Sequence, residues 1–239
     1  MMPKIIHFFW EGGGKTRLAK RCIASWRKMC PDWEIKEWNL ERLRQEGVQI
    51  DGAFFEETVR LKAWAFVSDV VRWAVLYREG GVFLDADVEL VKPIDELCCQ
   101  NWMVAECEEP LRVNPGFGIG FERGSTFAAA QLENYAKMHF DAKRPMNCTS
   151  PWVVSQLLDR SDAPKVYPIV YFNPREWSGG RLPKQLDSRT YGIHHYADSW
   201  FSWKQLLAYK ILPRIGVDVG KLQRRFHRNR PTENEESAR

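Results

Sequence analysis

"LKAWAFVSDVVRWAVLYREGGVFLDADVEL", residues 61–90, runs from an apolar segment through a glycine pair into a second apolar run that ends on two acids. Apolar residues cover nearly every face from Ala63 to Tyr77, which predicts a buried helix over 61–78. Gly80-Gly81 closes that helix as its C-cap, and VFLDADVEL follows as a strand broken at Asp85 and Asp87. Asp69 and Arg72 stand mid-helix at i,i+3 spacing and so share one face. Buried charge is costly unless paired. The pair is therefore either an internal salt bridge or a polar edge on a cleft wall.

Reading outward from this block, strands and helices alternate. PKIIHFFW (3–10) is a short apolar run between a proline and the loop EGGGKT, and reads as a buried first strand. Leu18, Cys22, Trp26 and Met29 recur at a helical period over 16–29, and WEIKEW (33–38) alternates like a strand. NLERLRQEG has an Asn cap and stops at Gly47. Further on, NWMVAECEE reads as a strand, STFAAAQLENYAKMHF and TSPWVVSQLLD as helices, and KVYPIVYFNP and TYGIHHYADSW as late strands and a loop. This order predicts a layered α/β fold with a mostly parallel central sheet.

Composition narrows the class. The chain has 239 residues, 44% hydrophobic and 28% charged, which are globular values. No run reaches the ~18–20 apolar residues of a membrane span, and the start shows no secretory leader. The six Cys (22, 30, 98, 99, 107, 148) form no CxxC pair and no zinc spacing, so a cytosolic chain with reduced thiols is expected. From Lys204 to Arg239 there are nine Lys or Arg against four Asp or Glu, which leaves residues 1–203 at −1 of the overall +4. A nearly neutral body is not the footprint of a nucleic-acid enzyme, so no nucleic-acid partner is expected. The division expected is a catalytic domain over 1–203 and a basic amphipathic segment with a polar tail over 204–239. In that segment Trp200, Phe201, Trp203, Leu206, Leu207 and Ile211 alternate with Lys and Arg, as in a solvated tail or a helix lying on a membrane surface across 200–230.

The acid pair has three readings. Asp85 and Asp87 suit a Mg²⁺ or Mn²⁺ site at the end of a strand, with a diphosphate completing the coordination shell. FLDADV also matches the opening motif of haloacid-dehalogenase-type phosphatases, with Asp85 as nucleophile. That motif normally opens the fold, whereas 80 residues precede it here, and no later acidic metal pair follows. The third reading is an exposed turn. GGGKT (12–16) fails as a Walker A loop because Phe9 stands where its first Gly belongs. His194 and His195, in GIHHYADSW, are the chain's adjacent histidines, and such a pair is more often packed than metal-bound.

Taken together and in order, IIHFFWEGG, AFVSDVVRWAVLYREGGVFLDADVELVKPID, NPGFGIGFERG and GIHHYADSW resemble the DxD-containing sugar transferases of capsular and exopolysaccharide loci (glycosyltransferase family 32). The resemblance spans about residues 3–200. It implies a GT-A-type fold and metal-dependent, retaining transfer of a hexose from a nucleotide-sugar, UDP by family habit. The acceptor would be a saccharide or lipid-linked saccharide in bacterial surface-polysaccharide synthesis, with the enzyme at the inner face of the plasma membrane. By the same resemblance Trp10 stacks on the nucleobase, carried by the strand His7–Phe9. Asp69 and Arg72 hold ribose, sugar or phosphate, and Asp85 and Asp87 bind sugar hydroxyl and Mn²⁺ or Mg²⁺, with Asp87 the direct ligand. Asn114 and Gly116 line the donor sugar, although Pro115 departs from the family's usual N-T-G. His195 is the expected additional metal or phosphate contact. A non-catalytic sugar-nucleotide-binding protein is the alternative outside enzymology.

Overall fold

The structure is a computed structural model that describes residues 2–142, 144–175 and 181–197. The expected basic segment from 204 onward, with its membrane-surface reading, lies outside the described residues. Strand β1 (Ile5–Phe9) leads into helix α1 (Arg17–Met29), strand β2 (Glu34–Trp38) and helices α2 (Leu40–Gln45), α3 (Ala53–Arg60) and α4 (Trp64–Glu79). Strands β3 (Gly81–Phe83) and β4 (Val88–Leu90) flank the two acids. Then come β5 (Trp102–Glu108), β6 (Leu111–Val113), β7 (Ile119–Phe121), helices α5 (Thr126–Ala136) and α6 (Ser150–Ser155), β8 (Lys165–Tyr167) and β9 (Gly192–His194).

Seven strands form the main sheet in the order β2-β1-β3-β7-β5-β6, with β8 on β5. The pairings orient β1, β2, β3, β5 and β8 one way, while β6 and β7 oppose them. The α/β class and the largely one-way sheet are as the sequence predicted. β4 leaves this sheet and pairs antiparallel with β9 in a separate two-stranded ribbon.

The expected helix over 61–78 is α4, but it begins at Trp64. Lys62 takes a positive φ of 55°, which breaks the chain between α3 and α4. Ten consecutive positions from Val67 to Leu76 include only Ser68 as a residue that is not buried. The glycine pair is required by space as well as by conformation. A Cβ on Gly81 would lie 2.6 Å from the Ile5 carbonyl oxygen, at φ +100°. That close approach lets β3 pair with β1 directly as it leaves the helix.

Helix α1 covers the β1 face that carries Ile6 and Phe8, and Cys22, Ile23 and Trp26 pack into the same core as Val88 and Leu90. It also anchors the acid-bearing loop. The Trp26 indole N–H donates to Val88 O at 2.7 Å, and Ser25 Oγ accepts from Leu90 N at 2.9 Å. Among the described residues, no helix is long and apolar enough to cross a membrane.

Candidate metal and donor-sugar centre

Asp85 and Asp87 lie between β3 and β4, where the chain steps from the main sheet to the ribbon. Leu84 N donates to His7 O, so the segment continues the β1–β3 ladder up to the first acid. Asp85 then meets Arg72. The guanidinium Nη2 donates to Asp85 Oδ1 at 3.0 Å and lies 2.9 Å from Asp69 Oδ1. One buried cation thus joins the helix acid to the loop acid. The two readings left open for Asp69 and Arg72 merge, because the salt bridge is internal and also forms the wall of the site.

The electrostatics follow from burial. Desolvation pushes the Asp69 carboxyl up to about 6, against the pull of Arg72. Burial also raises Asp85, against Arg72, and the neighbouring Asp87 charge adds to the rise. Asp85 keeps 31% of its side chain exposed, so solvent softens that push more than at Asp69, with 12%. Burial disfavours the Arg72 cation, but Asp85 and Asp69 outweigh it and hold the guanidinium above its ordinary range. Arg72 Nη1 is buried without a hydrogen-bond partner. Nη1 is thus a donor that the described residues leave unused.

The ribbon brings a histidine to the acids. β4 and β9 pair with Val88 opposite His194, which sets that imidazole beside Asp87. His194 Nε2 lies 3.4 Å from Asp87 Oδ1. Potential ligand atoms of Asp85, Asp87 and His194 all fall within 4.8 Å of one another. Two carboxylates and an imidazole fit a divalent ion such as Mn²⁺, which accepts both oxygen and nitrogen ligands. The fit is reinforced by His194 Nδ1, which is buried with no hydrogen-bond partner. Phe117 and Tyr196 wedge the ring at centroid distances of 5.1 and 4.3 Å.

His195, the expected extra metal contact, points elsewhere. Its Nε2 is 2.8 Å from Glu89 Oε2 and 3.3 Å from Arg21 Nη2. His195 is one residue past the end of β9, and of the two adjacent histidines it is His194 that faces the acids. The His195 backbone N–H does help, donating to Asp87 O at 3.0 Å, while Ala197 N donates to Asp87 Oδ2 at 2.7 Å.

The nucleotide side is more mixed. Trp10 sits just past the C-terminal end of β1, half-buried against the core, with its indole N–H donating to Gly13 O at 3.1 Å. Phe9 is buried at 8% exposure. His7 is fully buried, with Nε2 on Gly80 O and Nδ1 on the Trp38 indole N–H. Both ring nitrogens are taken, so the structure leaves His7 as a support of the strand and not a ligand contact. Gly116 does reach Asp85, and Asn114 stands behind it. Gly116 N donates to Asn114 Oδ1 at 2.9 Å, and a Cβ on Gly116 would lie 2.6 Å from Asp85 Oδ2. Sequence reasoning missed His194 as the histidine that faces the acids, Glu106 beneath Asn114, and Arg21 with Glu89 at the rim. For His194 the adjacent-histidine signal was present and only its register was not.

A mixed sheet with two acids at the end of a strand, closed by a ribbon that carries a histidine, is a GT-A-like α/β arrangement. The fold is similar to that of PaToxG Glycosyltransferase, at a TM-score of 0.53 and 17% identity, over 66% of this chain and 69% of that one. The family profile "Glycosyltransferase sugar-binding region containing DXD motif" matches residues 16–104. Over that segment the chain is similar to the DXD-motif sugar transferases. It is 28% identical over 164 residues to inositol phosphoceramide mannosyltransferase 3 of Schizosaccharomyces pombe, covering 64% of this chain and 44% of the relative. It is 25% identical over 121 residues to inositol phosphoceramide mannosyltransferase 1 of the same yeast, covering 46% and 35%. Each match spans less than half of the relative's length.

Proposed function

We propose that the chain is a metal-dependent glycosyltransferase that moves a hexose from a nucleoside diphosphate sugar, UDP-linked, to a saccharide or lipid-linked saccharide with retention of configuration. The carrying observation is the convergence of Asp85, Asp87 and His194 within 4.8 Å beside the buried Arg72. When bound there, a Mn²⁺ or Mg²⁺ ion would offset charge on the departing diphosphate. Arg72 offers its spare Nη1 donor to the same phosphate or to a sugar oxygen, and does so from a dry wall where such a bond is worth more than in water. Trp10 supplies a face for the base. The acceptor oxygen bonds to the anomeric carbon as the carbon–oxygen bond to the diphosphate breaks, and the acceptor proton passes to a phosphate oxygen. Asp85, fixed by Arg72 and pressed by Gly116, holds its place beside the sugar and is not the nucleophile.

The match of residues 16–104 to the DXD-motif glycosyltransferase model favours this over the phosphatase reading of Asp85. The yeast relatives are named for a mannosyl donor and a lipid acceptor, which supports a hexose and a lipid-borne acceptor for this chain too. Bacterial surface-polysaccharide synthesis at the inner face of the plasma membrane is the setting proposed, with residues 200–230 as the membrane contact. The test is donor hydrolysis and transfer with a panel of UDP- and GDP-sugars, GDP-mannose included, with and without Mn²⁺. Metal-stimulated release of a nucleoside diphosphate that is lost in Asp87→Ala is expected. Nucleotide-sugar binding without turnover of any donor would instead favour the non-catalytic alternative.

A further inference from the structure

Glu106 stands at an irregularity in the sheet. Along the β5–β6 pair, Ala105 faces Val113 while Cys107 faces Arg112, so Glu106 is the extra residue of a β-bulge. A bulge turns its inserted side chain away from the regular alternation, and bulges gather beside functional sites for that reason. Here the carboxylate is only 28% exposed and each oxygen has a partner. Oε2 accepts from Arg112 Nε at 2.7 Å and Oε1 accepts from Asn114 Nδ2 at 3.1 Å.

The second of these bonds has a consequence for the centre. A carboxylate can only accept, so it forces the Asn114 amide to present its NH₂ to Glu106 and its Oδ1 to Gly116 N. That bond holds the turn Asn114–Phe117, in which Phe117 N also donates to Asn114 O at 3.1 Å. Gly116 is then set against Asp85 Oδ2, and Phe117 against the His194 ring. A line of contacts therefore runs from the bulge to the acid and histidine of the centre.

We infer that Glu106 is a positioning residue: through Asn114 it fixes the loop against which Asp85 and His194 are set, and so shapes the seat of the donor sugar. The donor-sugar part rests on the glycosyltransferase reading above, while the loop part does not. Since both carboxylate oxygens are engaged, Glu106 acts through Asn114 and does not touch the reacting atoms. The Arg112 pair is half-exposed and contributes little by itself, so the Asn114 bond carries the effect.

The test compares Glu106→Ala, Glu106→Gln and Arg112→Ala in the full chain. Glu106→Ala is expected to raise the donor KM about tenfold with kcat changed less than about threefold, as for a lost supporting contact. Glu106→Gln keeps an oxygen for Asn114 Nδ2 and is expected to restore KM to within about threefold, and Arg112→Ala to leave it within about twofold. A readout independent of turnover is the side-chain amide resonance pair of Asn114, which should be slow to exchange in the wild type and in Glu106→Gln and fast in Glu106→Ala. If the wild type turns over no donor, the transferase reading falls, and the amide exchange still decides the brace. Unchanged Asn114 exchange in Glu106→Ala, or Gln as damaging as Ala in both readouts, would overturn the inference.

Discussion

His7 on β1 and His194 on β9 are buried alike, at 0% and 8% exposure, and each lies on a short strand of its own sheet. Their ring nitrogens are used in opposite ways. His7 Nδ1 accepts from Trp38, which places its proton on Nε2, and that proton goes to Gly80 O. The ring is neutral and saturated, and burial pushes its pKa down to about 4. His194 has Nε2 turned to Asp87 and Nδ1 without a partner. Burial alone thus says little about function. What separates the two histidines is whether the protein has used up their ring nitrogens.

The largest expected effect removes what His194 faces. Asp87→Ala should lower transfer roughly a thousandfold and abolish Mn²⁺ binding, because it deletes a ligand where charge develops on the leaving group. Paramagnetic titration of Mn²⁺ and a rate assay check this. An Asp87→Ala protein that still binds Mn²⁺ as tightly would break the assignment of the centre.

Next in size is the structural histidine. His7→Phe leaves the Trp38 N–H and the Gly80 carbonyl without a partner in the core, at about 3 kcal/mol of stability. It should leave the Mn²⁺ affinity of the folded protein unchanged. Denaturant unfolding against pH sharpens the point. With the folded pKa near 4 and the unfolded value near 6.5, the His7 contribution is complete above about pH 6.5 and lost as pH falls towards 4. The span amounts to about 3 kcal/mol at about 1.4 kcal/mol per pH unit. The component due to His7 should be missing from the pH profile of His7→Phe, and an identical profile in that variant would place the titration elsewhere.

His194→Ala comes third. It should weaken Mn²⁺ binding of the folded protein by roughly 10–100-fold, and the loss of the ring from between Phe117 and Tyr196 should also cost about 2–4 kcal/mol of stability. The two variants therefore separate on metal affinity, which His7→Phe leaves unchanged and His194→Ala lowers. Equal Mn²⁺ affinity in the two folded variants would erase the distinction.

These residues also mark how far sequence carries. Helix α4 was legible because it is apolar on every face, and the acid pair because it follows a glycine turn that permits no other path. The start of α4 was less so, since the break at Lys62 depends on a positive φ that no side-chain pattern announces. The histidine pair was visible as a type, but the choice between its members depends on β9 pairing with β4 across 106 residues of chain. Glu106 was invisible because a bulge exists only relative to its partner strand.

The smallest expected effect tests that register. His195→Ala should change Mn²⁺ affinity and turnover by less than about threefold. Its ring joins Glu89 and Arg21 at the rim, where Arg21 keeps 57% of its side chain exposed, and exposed charge clusters contribute ~0–1 kcal/mol. The backbone N–H that supports Asp87 O survives the substitution. The value of this variant is its contrast with His194→Ala, one residue away. Because strand side chains alternate, a slip of one residue between β4 and β9 would exchange the two rings completely. A variant series in which His195→Ala costs the metal and His194→Ala does not would therefore indicate a ribbon paired one residue out, with the rest of the centre intact.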